Sequence, residues 1–181
     1  ASAAPPPTAP ATPEPVAQDI PPIRRNEPLA RLEIPKIGKD LIVVPGVDLD
    51  DLQDGPGHYP DTPLPGQLGN ASIAGHRTTY GEPFRQIDEL EPGDELIVTM
   101  ITGETFVYAV TDTEIVPPSD YFVVATSDPT IAELTLTSCD PEFTSTNRIV
   151  VHALLDPERS AQVGVPTFYD LEDDTPPAPD T

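Results

Sequence analysis

An all-β fold, either a closed barrel or a sandwich, is the class this sequence predicts. Two observations carry that reading. Eight or so short β-branched and apolar segments recur, with turn residues every 8–12 positions. Helical periodicity is confined to one or two short stretches.

The segments run as follows. Leu29–Ile34 alternates apolar and polar residues and stops at Pro35; Leu41–Val44 is a short apolar strand before Pro45-Gly46. Asp48 is placed to cap one helical turn over Leu49–Leu52. Ala71–Ala74 is an apolar strand leading into Gly75-His76, and Phe84–Leu90 reads as a short helix ended by Pro92-Gly93. Glu95–Ile101 and Glu104–Thr113 flank Thr102-Gly103 as a hairpin. Leu134–Ser138 and Arg148–Leu155 are the last two strands, with a turn at Asp140-Pro141 and a polar loop between them.

The ends have a different composition. Nine of the 26 prolines fall in residues 1–28, among Ala and Thr, which predicts an extended linker. Residues 157–181 end in LEDDTPPAPDT and read as a disordered acidic tail. The folded unit is then residues 29–156. The formal net charge is −22, and residues 28–155 alone hold 21 acids against six Lys or Arg. A surface this acidic repels phosphate backbones, so nucleic acid is excluded as a partner. The single cysteine rules out a disulfide-stapled scaffold. No apolar run is long enough to span a membrane. Opening on a linker suggests that a membrane anchor belongs upstream of Ala1.

Three residues stand out chemically. Cys139 follows the strand-like Thr135-Leu136-Thr137-Ser138, and a thiol at a strand end facing a loop is held rigidly with room for substrate. Position alone leaves it equally compatible with a small buried core residue. His76 lies 63 residues earlier, after an apolar run and a glycine; an imidazole near a thiol would activate it and later deliver a proton. Arg148, nine residues after Cys139, would point back over the thiol if the two strands pair, with a donor fork suited to an oxyanion. Alone, it reads as a surface arginine among carboxylates.

Taken together, these segments resemble the sortase family. TLTSC followed nine positions later by Arg is similar to the sortase signature in which a TLxTC strand carries the nucleophile. GHYPDTPLPGQLGNASIAGHRTTYGEPF resembles the segment around the sortase histidine, and LEIPKIGKDLIVVPGV resembles the first strands of that fold. The AGHRTTYG form is most like class E, the housekeeping type of high-GC Gram-positive bacteria.

The resemblance implies a closed eight-stranded sortase-type β-barrel with one or two short helices. It implies a cysteine transpeptidase that cleaves the Thr–Gly bond of an LAXTG or LPXTG sorting signal. Cys139 would be the nucleophile, His76 the general acid/base and Arg148 the oxyanion stabiliser. Ser138 stands where many sortases have Thr and is a candidate substrate contact. The implied partners are the sorting-signal peptide of secreted surface proteins and a lipid II-type peptidoglycan precursor amine. Neither metal nor organic cofactor is expected, and the implied location is the outer face of the cell membrane, through an N-terminal anchor.

Weaker candidates are Tyr80, four residues after His76, as a groove wall, and His58, as a groove residue or a structural hydrogen-bonder. His152 alternates with apolar neighbours and reads as structural. The run Asp48, Asp50, Asp51, Asp54 lacks the Gly and terminal Glu of an EF-hand loop and reads as a solvated helical turn. An L,D-transpeptidase would need His-Gly-Cys, whereas Ser138 precedes Cys139; a papain-like protease would need its His downstream. A class C pilus sortase would carry a lid with an Asp-aromatic motif, and residues 1–28 contain no aromatic. Pilus polymerisation is the runner-up within the family, and a non-catalytic acidic surface domain is the alternative outside it.

Overall fold

The computed structural model describes residues 14–78, 80–140, 146–169 and 171. Eight strands are β1 (Ala30–Ile34), β2 (Lys39–Pro45), β3 (Gly57–His58), β4 (Gly69–Ala74), β5 (Glu95–Met100), β6 (Thr105–Val116), β7 (Ala132–Asp140) and β8 (Asn147–Leu155). They close into a barrel in the order β1-β2-β3-β4-β7-β8-β6-β5. The expected closed eight-stranded barrel is therefore the observed architecture. Its core is built from inward positions of nearly every strand, including Leu32, Val98, Phe106, Tyr108, Leu134, Leu136 and Val151. The two-residue β3 closes the barrel, joining the end of β2 to the end of β4.

The β5–β6 hairpin forms where local alternation and turn chemistry place it. Gly103, at φ +103°, takes the left-handed position of the turn, and its N–H donates to the Met100 carbonyl at 2.9 Å. The single α-helix among the described residues, α1 (Leu49–Asp54), begins with the expected Asp48 cap. There Asp48 and Asp51 form a reciprocal capping box. One part of the solvated-turn reading is corrected: Asp51 is only 1% exposed and is bound by Arg25 Nη1 at 2.6 Å. The short helix expected over Phe84–Leu90 is also corrected, to turns followed by a 3-10 turn at Ile87–Glu89. The eight residues between Pro83 and Pro92 lack a side-chain cap at Gln86, whereas the shorter α1 has the Asp48 box to offset nucleation. Phe84 and Ile87 reach the core regardless.

Two connections are parallel: β2 pairs with β3, and β4 pairs with β7. The second brings Gly69–Ala74 alongside Ala132–Thr137, and β8 lies antiparallel on the other side of β7. Backbone outside the 29–156 unit also touches the barrel. Val16 bridges to Gly164, and the Ala161 N–H donates to the Thr105 carbonyl at 2.8 Å. Val163 is buried in the core cluster. No helix among the described residues is long and apolar enough to cross a membrane.

Candidate active site

Strand β7 sits between the two elements that carry the other predicted residues. On one side, the antiparallel register makes Arg148 the direct cross-strand partner of Cys139. On the other, the parallel register pairs Ala74 with Thr137, and the Gly75 N–H continues it by donating to the Thr137 carbonyl at 3.1 Å. Extended two residues past the Ala74–Thr137 pair along both chains, this register brings His76 level with Cys139. The backbone positions of His76, Cys139 and Arg148 therefore lie at the same end of β4, β7 and β8. The predicted turn at Asp140-Pro141 and the loop after it fall largely on residues 141–145, outside the described residues.

Gly75 is required at this junction. A Cβ there would lie 2.6 Å from the ring of Phe84, which is fully buried. The loop after His76 is folded back by its own backbone: the Phe84 N–H donates to the His76 carbonyl at 3.1 Å. Arg77, 3% exposed, braces the same loop, donating from Nε to the Arg85 carbonyl at 2.8 Å and pairing with Asp88 at 3.2 Å. Sequence reading missed this brace; its only signal was the arginine's place directly after the histidine.

The His76 ring is half-buried, and burial lowers its pKa from the ordinary histidine value. Its Nε2 is buried with no hydrogen-bond partner among the described residues. Tyr80 reaches over it, ring centroids 5.2 Å apart and tilted by 39°, while remaining 56% exposed. Tyr80 therefore joins His76 in the structure. Ser138 lines the same cleft, but its hydroxyl is engaged, donating to the Gly75 carbonyl at 2.7 Å. That bond ties the residue before Cys139 to the residue before His76. Arg148 is half-buried and donates from Nη1 to the Asn147 carbonyl at 3.0 Å.

The cleft has two lobes. One, of about 290 Å³, is lined by Val47, Leu52, Ala74, His76 and Ser138; the other, of about 280 Å³, by Val116, Pro117, Pro118, Val123 and Val124. They share Tyr59, Thr137 and Arg148. An apolar groove lined by an imidazole and a guanidinium can hold an extended peptide and stabilise a tetrahedral oxyanion. Tyr59, whose hydroxyl meets Thr137 Oγ1 at 3.2 Å, and the 116–124 wall were not predicted.

His58 is placed elsewhere. It is fully buried, with Nε2 donating to the Pro63 carbonyl at 2.7 Å and Nδ1 accepting from the Tyr169 hydroxyl at 2.8 Å. Both nitrogens are used inside the protein, so it presents no face to a groove. Thr62 Oγ1, in the same network, accepts from the Ser72 N–H at 3.2 Å and donates to the Tyr59 carbonyl at 2.8 Å, which anchors the backbone of that groove residue. Burial lowers the His58 pKa to about 4, against the opposing pull of the Pro63 carbonyl. Its unfolded value is about 6.5, so the unfolded chain binds the proton that the folded chain refuses. The stabilisation is complete above pH ~6.5 and is lost as pH falls towards 4, by up to about 3 kcal/mol. Urea unfolding at pH 7 and 4.5 should show a loss of stability that His58→Gln largely removes; an identical loss in the variant would refute this account.

Comparison with known proteins gives a consistent set of relatives. The family model described as "Sortase domain" matches residues 32–156. Sortase D of Bacillus subtilis is 43% identical over 110 residues, covering 61% of this chain and 53% of that protein. Sortase SrtE1 of Streptomyces coelicolor is 35% identical over 153 residues, covering 76% of this chain and 43% of that protein. The chain spans about half the length of these curated relatives. Among solved structures, a Clostridium perfringens Sortase D5 transpeptidase is 34% identical, with a TM-score of 0.68 over 75% of this chain and 82% of that one. Sortase E1 from Streptomyces coelicolor, with a tripeptide in its active site, is 33% identical, with a TM-score of 0.66 over 72% of this chain and 88% of that one.

Proposed function

Because this chain belongs to the sortase family, we propose that it is a cysteine transpeptidase acting through Cys139, His76 and Arg148. The observation that carries the reading is the register: Cys139 is paired with Arg148 on one side and level with His76 on the other. Sortases in general act on sorting-signal peptides and cell-wall precursors at the cell surface. We extend this to an LAXTG- or LPXTG-type signal, a lipid II-type amine as acceptor, and an enzyme tethered to the outer membrane face through the segment preceding the barrel.

The chemistry follows from the groups. Burial favours a neutral His76 at pH 7, so the imidazole can take the Cys139 thiol proton. The thiolate attacks the threonine carbonyl, and Arg148 supports the resulting oxyanion. The C–N bond breaks, and His76 gives its proton to the departing glycine amine. In the second half the acceptor amine attacks the thioester, His76 takes the amine proton, and the Cys139 thiolate leaves.

A panel of quenched peptides varying only the second signal residue tests substrate class. Following the class E likeness, Ala at that position should be cleaved faster than Pro. The less kinked peptide keeps a backbone N–H that proline lacks. Equal or faster cleavage of the Pro peptide would overturn the class E assignment. Failure of every peptide, with no acyl adduct on Cys139, would overturn the transpeptidase reading.

A further inference from the structure

A second constellation lies along strands β6, β8 and β7, away from the thiol. His152 is four residues beyond Arg148 on β8, about 13 Å along the strand. The β6 register shifts between Val110 and Asp112, and this bulge sets Asp112 directly opposite His152. Glu114 lies two residues on, on the same strand face. Ligand atoms of Asp112, Glu114 and His152 all lie within 4.8 Å of one another. They open into a cavity of about 430 Å³, also lined by Glu133.

The histidine is oriented from behind by a chain of hydrogen bonds. The Asn70 amide nitrogen donates to the Val123 and Ala125 carbonyls at 3.1 and 3.3 Å, which turns its oxygen towards Thr135. The Thr135 hydroxyl donates to that oxygen at 2.6 Å. Its one proton is thereby used, so towards His152 Nδ1, at 3.2 Å, the hydroxyl is an acceptor. Nδ1 therefore carries the ring proton, and in the neutral ring the lone pair sits on Nε2. That nitrogen faces Glu114 Oε1 at 3.5 Å. With a neutral ring that contact is repulsive; a proton on Nε2 or a metal ion between the two groups relieves it. The 3.5 Å spacing is long for a hydrogen bond. It is close to the roughly 3.4 Å between two ligands of one tetrahedral ion with bonds of about 2.1 Å. A polar partner on the far ring nitrogen is the usual support of a metal-binding histidine.

We propose that Asp112, Glu114 and His152 form a binding site for a divalent ion of the zinc type, with water or Glu133 completing the shell. An imidazole with carboxylates favours zinc and its neighbours over calcium or magnesium, which prefer all-oxygen shells. The ion plays no part in acyl transfer. It clamps β6 to β8, the strand whose start holds Arg148.

The test uses the full chain carrying Cys139→Ala, so that the thiol cannot capture zinc. Zinc chloride is titrated by calorimetry and by thermal unfolding in metal-free buffer. One ion per chain is expected, with Tm raised by several degrees and no comparable response to calcium. Glu114→Gln and Asp112→Asn, both at the mouth of the cavity, should each weaken zinc binding at least 10-fold, and His152→Gln should abolish it. No zinc binding, an equal response to calcium, or affinity unchanged in Glu114→Gln and Asp112→Asn would each overturn the proposal.

Discussion

Cys139→Ala should leave no measurable cleavage of a sorting-signal peptide and no acyl adduct on the protein. The proposed reaction passes through a covalent thioester, and neither His76 nor Arg148 can supply the missing nucleophile. Removing the nucleophile of a covalent enzyme typically costs a factor on the order of 10⁶ in kcat. The barrel should survive. Its core draws on nearly every strand, and truncating one thiol removes little volume. Thermal unfolding should therefore match the parent within a few degrees, while mass spectrometry after incubation with peptide detects the adduct only in the parent. Appreciable turnover by the purified variant would refute the mechanism.

Arg148→Lys should lower kcat by roughly 10²-fold or more while leaving KM comparatively unchanged. Losing one oxyanion donor usually has that effect. Because the interaction is made in the transition state, the loss falls on kcat rather than on binding. The substitution keeps the charge and removes the planar fork. Geometry sharpens the expectation. Arg148 is the cross-strand partner of Cys139, and one nitrogen of its guanidinium is held by the Asn147 carbonyl at 3.0 Å. A lysine ammonium offers no second fixed direction to an oxyanion. Near-parent rates would reduce Arg148 to a generic positive charge in the groove.

How legible each element was depended on how local its cause is. The β5–β6 hairpin could be read because alternation and a Thr-Gly turn act within a dozen residues. The two-residue β3 could not. Gly57-His58 is too short to have a period, and it is a strand only because β2 and β4 pair with it. In the segment 84–90, Phe84 and Ile87 sit one turn apart as on a helix, but a turn followed by the 3-10 turn at Ile87–Glu89 buries the same pair. Tyr59 and the 116–124 wall were missed because a groove wall is defined by what stands opposite it. His58 was left open between groove and structure; the partner that occupies its Nδ1, Tyr169, is 111 residues away.

By itself the sequence determined the residue types and their local settings. A lone cysteine at the end of a β-branched run, a histidine after a glycine and an arginine nine residues past the thiol are all properties of short windows. So is the alternation that makes strands. Only the tertiary structure decided which of these meet. The parallel pairing of β4 with β7 joins segments more than 60 residues apart, and no local signal encodes it. It arises because closing the barrel buries both strands against a common core. The bulge in β6 likewise selects which carboxylates face His152, since a shift of one residue turns every side chain to the other face.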